Sequence, residues 1–323
     1  MSREAWEHIV CTHKDGIYES HYLKANSPDG TQGLWIKHNL LRPRKNDGIG
    51  EFWVILFEKG RTPQVAKRIV SWPHLSLDNK SIRIQTQGIS LQPSHAEGSI
   101  ADIEWNLELT DSTPPLLHFP WDWMYTAGFP KKKAISPAPN LLFNGSITVG
   151  DTKIEINDWV GLRGHNWGTE HAHTYAYGNC HIWKDKQQRT VDGFSAKIRM
   201  LGLIQSPFLS TIVSRSPDVQ LNRPTHWLGG ARVTPTSWEF KHGPHSLKMT
   251  TELSDYVGLR YAHPDGKESY CYNTKFAKVE WTVGAELFTS EMGELEVLFP
   301  TPITGVPLHP SPDWSPEKGD YGG

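Results

Sequence analysis

Residues 159–183 read WVGLRGHNWGTEHAHTYAYGNCHIW, and the reading of this stretch decides the fold. Its second half alternates. His171, His173, Tyr175, Tyr177, Asn179, His181 and Trp183 occupy odd positions, and Ala172, Thr174, Ala176, Gly178, Cys180 and Ile182 the even ones. Strand side chains repeat with period two, so this pattern predicts one functionalised face and one small, mostly apolar packing face. A helix would scatter both sets. Solvent-facing strands favour Thr, Lys and Glu, and the odd set has none of them. Large aromatic surfaces with a few convergent polar groups suit a half-buried wall of a small-molecule cavity.

Outward from this stretch the chain keeps the same character. Strand-like runs recur at 33–41, 51–58, 66–72, 81–86, 99–109, 140–149 and 152–156, and again from 191 to 283. Ile103, Trp105, Leu107 and Leu109 alternate with Glu104, Asn106 and Glu108, as in antiparallel sheet with one wet face. Gly150-Asp151 marks a hairpin turn. Helical periodicity is confined to 3–10 and 285–292. So many short strands in 323 residues exceed what one sheet holds without curling or splitting. The expectation is an all-β chain of two consecutive barrel-like domains, 1–172 and 173–323.

Composition removes several classes of function. The net charge is −2, which gives no basic footprint for nucleic acid. No window reaches the roughly 18 apolar residues of a membrane span, and the N-terminus shows no apolar signal region, so a cytoplasmic protein without stable membrane insertion is expected. Cys11, Cys180 and Cys271 are odd in number and lack metal-type spacing. No Gly-x-Ser-x-Gly, Walker or Gly-x-Gly-x-x-Gly motif occurs, so no nucleotide-type cofactor is expected. The implied partner is a small hydrophobic substrate.

Three chemistries compete for the central stretch. His165, His171 and His173 titrate near neutrality and suit acid–base work, with Glu170 as an acid if an apolar pocket encloses it. Arg163 stays cationic and suits a carbonyl or enolate oxygen, with Asn166 as a further polar group. Trp167, Tyr175, Tyr177, Asn179, His181 and Trp183 would bind substrate, the aromatic faces stabilising developing positive charge. Together these predict a cofactor-independent cyclase, isomerase or hydratase acting on a small unsaturated apolar molecule. The alternatives are a non-catalytic ligand carrier and a cupin-like metal enzyme using His171-x-His173; the first reading assigns no metal.

A resemblance adds to this. Ser136-Pro137-Ala138-Pro139 precedes the strand 141–149, LLFNGSITV, and is followed by GLRGHNWG at 161–168. This resembles the two-domain lipocalin-like superfamily of carotenoid 1,2-hydratase, tocopherol cyclase and fungal Diels–Alderases, whose signature runs Gly-x-x-Asp-His-Glu/Gln-Trp-Gly. A Leu-x-Asp-Gly-like turn follows in the family, matched here to 183–187. The resemblance implies two calycin-type barrels, a ligand cavity near the signature strand, and a polyene, polyketide or terpenoid substrate. Gly164 replaces the family's Asp, and Asn166 its Glu or Gln. The expectation is that Glu170 or one of His165, His171 and His173 takes over the proton, or that shape alone drives a rearrangement.

Overall fold

The structure is a computed structural model and describes residues 6–44, 47–78, 80–111, 113–170, 172–200, 204–262 and 268–309. The chain forms two compact units. Among the described residues, one comprises 6–115 together with Lys131–Glu170; the other comprises Leu116–Pro130 and 172–309. The single cut expected after residue 172 has no counterpart for Leu116–Pro130, which leaves the first unit's sequence and joins the second.

The first unit opens with β1 (Ile17–Asn26), β2 (Gln32–Arg42), β3 (Ile49–Glu58), β4 (Gln64–Ser71) and β5 (Ser76–Asp78). It continues with β6 (Arg83–Thr86), β7 (Ile89–Gln92), β8 (His95–Ile100) and β9 (Ile103–Thr110). The excursion into the second unit carries β10 (Leu116–Leu117) and the single helical turn α1 (Trp123–Thr126). The long strands β11 (Lys132–Val149) and β12 (Thr152–Gly168) then complete the first sheet. Its order is β4-β3-β2-β1-β12-β11-β9-β8-β7-β6-β5, antiparallel throughout.

The second unit holds β13 (Thr174–Cys180), β14 (Thr190–Lys197), β15 (Arg199–Met200), β16 (Ile204–Gln205), β17 (Leu209–Arg215) and β18 (Val219–Leu221). After the turn α2 (Pro224–Trp227) come β19 (Gly230–Thr234), β20 (Ser237–His242), β21 (His245–Thr250) and β22 (Val257–Ala262). It ends with β23 (Glu268–Val283), β24 (Glu286–Phe299) and β25 (Leu308–His309). The main path is β18-β17-β14-β13-β24-β23-β21-β20-β19. Both sheets are curled and almost wholly antiparallel, so the all-β, two-barrel reading holds.

Local sequence explains these strands. In β9 the apolar positions are buried and the polar ones exposed, residue by residue. The β11–β12 hairpin turns at Gly150, whose φ of +56° suits a residue without a Cβ. The second core gathers Ala176, Cys180, Ile212, Trp238, Phe240, Met249, Val279, Trp281 and Leu295. Burying each of the larger aliphatic and aromatic side chains among them stabilises by about 1.5–3 kcal/mol.

One expectation fails outright. Residues 285–292 are not a helix but the start of β24, paired with β23. Ala285, Phe288 and Met292 share a helical spacing by coincidence. Gly284, at φ +63°, turns the chain back, and the backbone groups of 286–290 bond across the hairpin instead of along a helix. The other helix expected, at 3–10, lies partly outside the described residues, and 7–10 contain no helix.

Candidate functional site

The central stretch divides between the two units. Gly161–Gly168 ends β12, and Tyr175, Tyr177 and Asn179 lie on β13. In β12 the odd face carries Gly161, Arg163, His165 and Trp167, paired with Ala25, Leu23, His21 and Glu19 of β1. Every residue of β1 is buried, so this strand brings Glu19, Ser20, His21 and Lys24 into the interior.

Glu19 is the hub of the first unit. Its carboxylate accepts from Val10 N (3.0 Å) and Cys11 N (2.7 Å), and its Oε1 lies 3.0 Å from His21 Nε2 and 2.8 Å from His165 Nε2. Burial works against its charge, but the bonds from His165 and His21 hold its pKa well below the usual carboxylate range. Burial and the neighbouring His165 depress His21 to about 4; burial and His21 depress His38 to about 3. The His165 ring is stacked between His21 (centroids 4.1 Å apart) and Trp167 (4.4 Å). Arg163 does not face a cavity. Its guanidinium is fully buried, donating to Glu7 Oε1 at 2.6 Å and to the Pro93 carbonyl.

Gly164 lies on the opposite face, under the ring of Tyr22. A Cβ there would stand 2.0 Å from Tyr22 Cζ. The position that carries Asp in the resembling family is therefore filled by a buried aromatic ring. We expect Gly164→Asp to destabilise the fold by about 2–3 kcal/mol or more, as overpacking and a buried unpaired acid do. Tyr22→Ala combined with Gly164→Asp should recover part of that loss in a urea titration. Equal stability of the single variant and the wild type would show that Tyr22 does not set this constraint.

The remaining predicted residues disperse. Asn166 is half-buried on the Gly164 face, opposite Ser20. Glu170 is about half exposed and ion-paired with Lys131 at 2.6 Å, rather than enclosed by apolar groups. His171 lies outside the described residues. His173 precedes β13, partly buried, and its Nδ1 accepts from Gln205 Nε2 at 2.7 Å. His181 is buried just after β13 ends. Trp183 packs in the second core with Ala176 and Cys180, its Nε1 donating to Arg189 O at 3.1 Å. The alternation thus stops at Cys180, because the chain leaves the sheet there and Trp183 turns to the packing side.

Within β13 the odd face is a dense polar array. Tyr175 OH donates to Glu296 Oε1 at 2.5 Å, and Asn273 Nδ2 to Glu296 Oε2 at 3.1 Å. Asn179 Nδ2 reaches Tyr177 OH at 3.5 Å. Lys275 Nζ meets Glu294 Oε2. Asn179 is cross-strand from Asp192, whose Oδ2 lies 3.3 Å from His118 Nε2. Thr211 Oγ1 stands 3.3 Å from His118 Nδ1. Asp192 and His118 are completely buried. His118 is held in place because Leu117 O accepts from Asn222 and Phe119 N donates to Tyr125 OH. Three buried carboxylates thus share one sheet face, each with a different partner.

The partners differ in what they can do. Lys275 holds Glu294 in an ion pair. Burial, followed by the Glu296 charge, raises the Tyr175 phenol well above its ordinary range, so its proton is locked. The Asp192–His118 pair joins a carboxylate to an imidazole, a side chain that can both donate and accept a proton. Sequence reasoning missed both members. An Asp in mid-strand between Val191 and Gly193 was the available signal for one. The Leu-x-Asp-Gly-like turn assigned to 183–187 puts Asp185 at the surface, paired with Arg189. A groove of about 460 Å³ opens elsewhere, on the wet face of β6 to β9 and β11, lined by Ser90, Glu97, Glu104, Asn106, Ser146 and Thr148 among others. None of the predicted site residues lines it.

With this geometry in hand, known proteins offer a comparison. CghA, a Diels–Alderase, aligns over 88% of this chain and 88% of its own, with a TM-score of 0.60 at 9% identity. The chain has the two-domain lipocalin-like fold. Kievitone hydratase of Nectria haematococca aligns over 88% of this chain and 89% of its own, with a TM-score of 0.56 at 12% identity. NE1406 of Nitrosomonas europaea, an AttH candidate, matches with a TM-score of 0.56 at 13% identity, over 87% and 92%. By sequence, the uncharacterized protein Rv0493c of Mycobacterium tuberculosis H37Rv is 23% identical over 296 residues, covering 83% of this chain and 82% of its own. No protein-family model matches the chain. Among the described residues, no helix is long and apolar enough to cross a membrane.

Proposed function

We propose that the protein catalyses proton-transfer chemistry, a hydration, cyclisation or isomerisation, on a small unsaturated and largely apolar molecule. The observation that carries this reading is the buried Asp192–His118 pair beside Asn179 on the functionalised face of β13. In this reading the pair delivers a proton to an alkene carbon or a carbonyl oxygen and recovers one afterwards. Tyr177, Phe194 and Phe119 supply aromatic surface near it, where positive charge would develop. The segment that carries His118 also presents Trp121, Trp123 and Phe129 at the surface, which suits an apolar ligand. Two proteins of the same fold carry hydratase and Diels–Alderase activities, which agrees with this class of reaction.

The test does not require the product in advance. Purified protein is incubated in D2O with a panel of prenylated, polyene and polyketide compounds, kievitone included, and deuterium incorporation is followed by mass spectrometry. Enzyme-dependent incorporation or conversion of at least one compound is expected. Tight binding of panel members with neither exchange nor conversion would instead make the protein a carrier.

A further inference from the structure

The interior of the first unit assembles a second set of chemistry-bearing groups, far from the acid–base pair in sequence and independent of that reading. His38, His21 and His165 stand side by side in register on β2, β1 and β12. Glu19 lies two residues from His21 on the same strand face. All four side chains are fully buried. One ligand atom each from Glu19, His21 and His165 lies within 4.8 Å of the other two.

The hydrogen bonding indicates what belongs between them. His165 Nδ1 is 3.1 Å from Trp6 O, a carbonyl that only accepts, so Nδ1 carries the hydrogen. In the neutral ring Nε2 then presents a lone pair, aimed at Glu19 Oε1 only 2.8 Å away. Two electron-rich atoms cannot face each other at that distance without a cation between them, either a proton or a metal ion. A proton would answer this one contact. It would leave His21 Nδ1 buried without a hydrogen-bond partner and the His38 ring with no side-chain partner. Each such orphan costs about 1–3 kcal/mol.

We infer that Glu19, His21 and His165 form a binding site for a divalent first-row transition metal, with His38 as the fourth ligand after a side-chain rotation. Imidazole and carboxylate donors in this ratio suit Zn2+, Fe2+, Mn2+ or Ni2+ rather than Mg2+ or Ca2+. The outer contacts match the role. A ligating His characteristically donates its other nitrogen to a carbonyl or carboxylate, as His165 does to Trp6, and ligating carboxylates are themselves hydrogen-bonded, as Glu19 is by Val10 N and Cys11 N. The His21 and His165 rings are stacked 15° apart, so loading turns one of them about its Cβ–Cγ bond. His21 is the ring that can turn, since its Nδ1 has no hydrogen-bond partner to lose, whereas His165 is anchored at Trp6 and wedged against Trp167.

The test uses the untagged full chain, expressed in medium supplemented in turn with Zn2+, Fe2+, Mn2+ and Ni2+, because the site is enclosed and loads as the chain folds. About one equivalent of one metal per chain should survive gel filtration with a weak chelator. Cobalt substituted at the site should give visible d–d bands. His21→Gln and His165→Gln should each abolish the bound metal and the bands. Should either variant fail to fold, His38→Leu keeps the test open, since the buried His38 ring has no side-chain hydrogen-bond partner to lose and Leu fills the same apolar surroundings. It should weaken metal retention by about tenfold or more. Folded wild-type protein with less than a tenth of an equivalent under all four supplements would overturn the inference. So would metal retained undiminished by folded His21→Gln or by His38→Leu, which would place it elsewhere on the chain.

Discussion

Asp192→Asn is expected to lower turnover by about 10²–10⁴-fold, the usual contribution of a positioned acid–base group. The change should leave the melting temperature within a few degrees. Asn has the shape of Asp and keeps an oxygen towards His118, so its place opposite Val213 is preserved. What it loses is the ability to carry a proton. His118→Phe removes the other half of the exchange and should cost a similar factor, whereas the double variant should be little worse than either single one, because the two act as one unit. Thr211→Val only removes the contact at His118 Nδ1 and should reduce turnover by less than about tenfold. The decisive readout is the pH profile of kcat/KM on whichever panel compound exchanges deuterium. A limb present in wild type and absent in Asp192→Asn marks proton transfer. Wild-type turnover in Asp192→Asn would sink the assignment.

Much of the scaffold was legible in the sequence because the relevant physics is local. Ile103, Trp105, Leu107 and Leu109 against Glu104, Asn106 and Glu108 describe a strand with one dry and one wet face, and the burial pattern repeats it. Tyr175, Tyr177 and Asn179 against Ala176, Gly178 and Cys180 mark a polar and a packing face of β13, both of them buried. The alternation was extended too far only where backbone pairing ended, at Cys180. The chemistry was less legible because its partners are remote. Nothing near Glu19 in sequence shows that His165 will lie 2.8 Å from it, and nothing near His118 shows that it will meet Asp192. β1 carries Glu, Ser, His and Lys, yet every one of its residues is buried. The absent family acid is likewise explained only in three dimensions, by the Tyr22 ring over Gly164.

The same polar face yields the second large effect, this time on stability. Lys275→Met is expected to destabilise the protein by about 3–5 kcal/mol, and Glu294→Met by a similar amount. The Lys275 and Glu294 side chains are 0% and 1% exposed, so removing either charge leaves the other in a medium that cannot solvate it. Their mutual attraction offsets desolvation only while both are present. Lys275→Met with Glu294→Met should therefore be close to neutral, and a buried pair replaced by apolar groups of similar volume is often more stable than the original. Urea midpoints of the four proteins measure the coupling directly. Additive losses in the double variant would show that each residue acts through separate contacts. The cycle also bears on the site. If this pair is a stability element that apolar groups can replace, turnover in the double variant should stay near wild type. Glu294 then drops out as a proton carrier. With the Glu296 partner proton locked on Tyr175, Asp192 remains the carboxylate on this face paired with an imidazole, which can both donate and accept a proton.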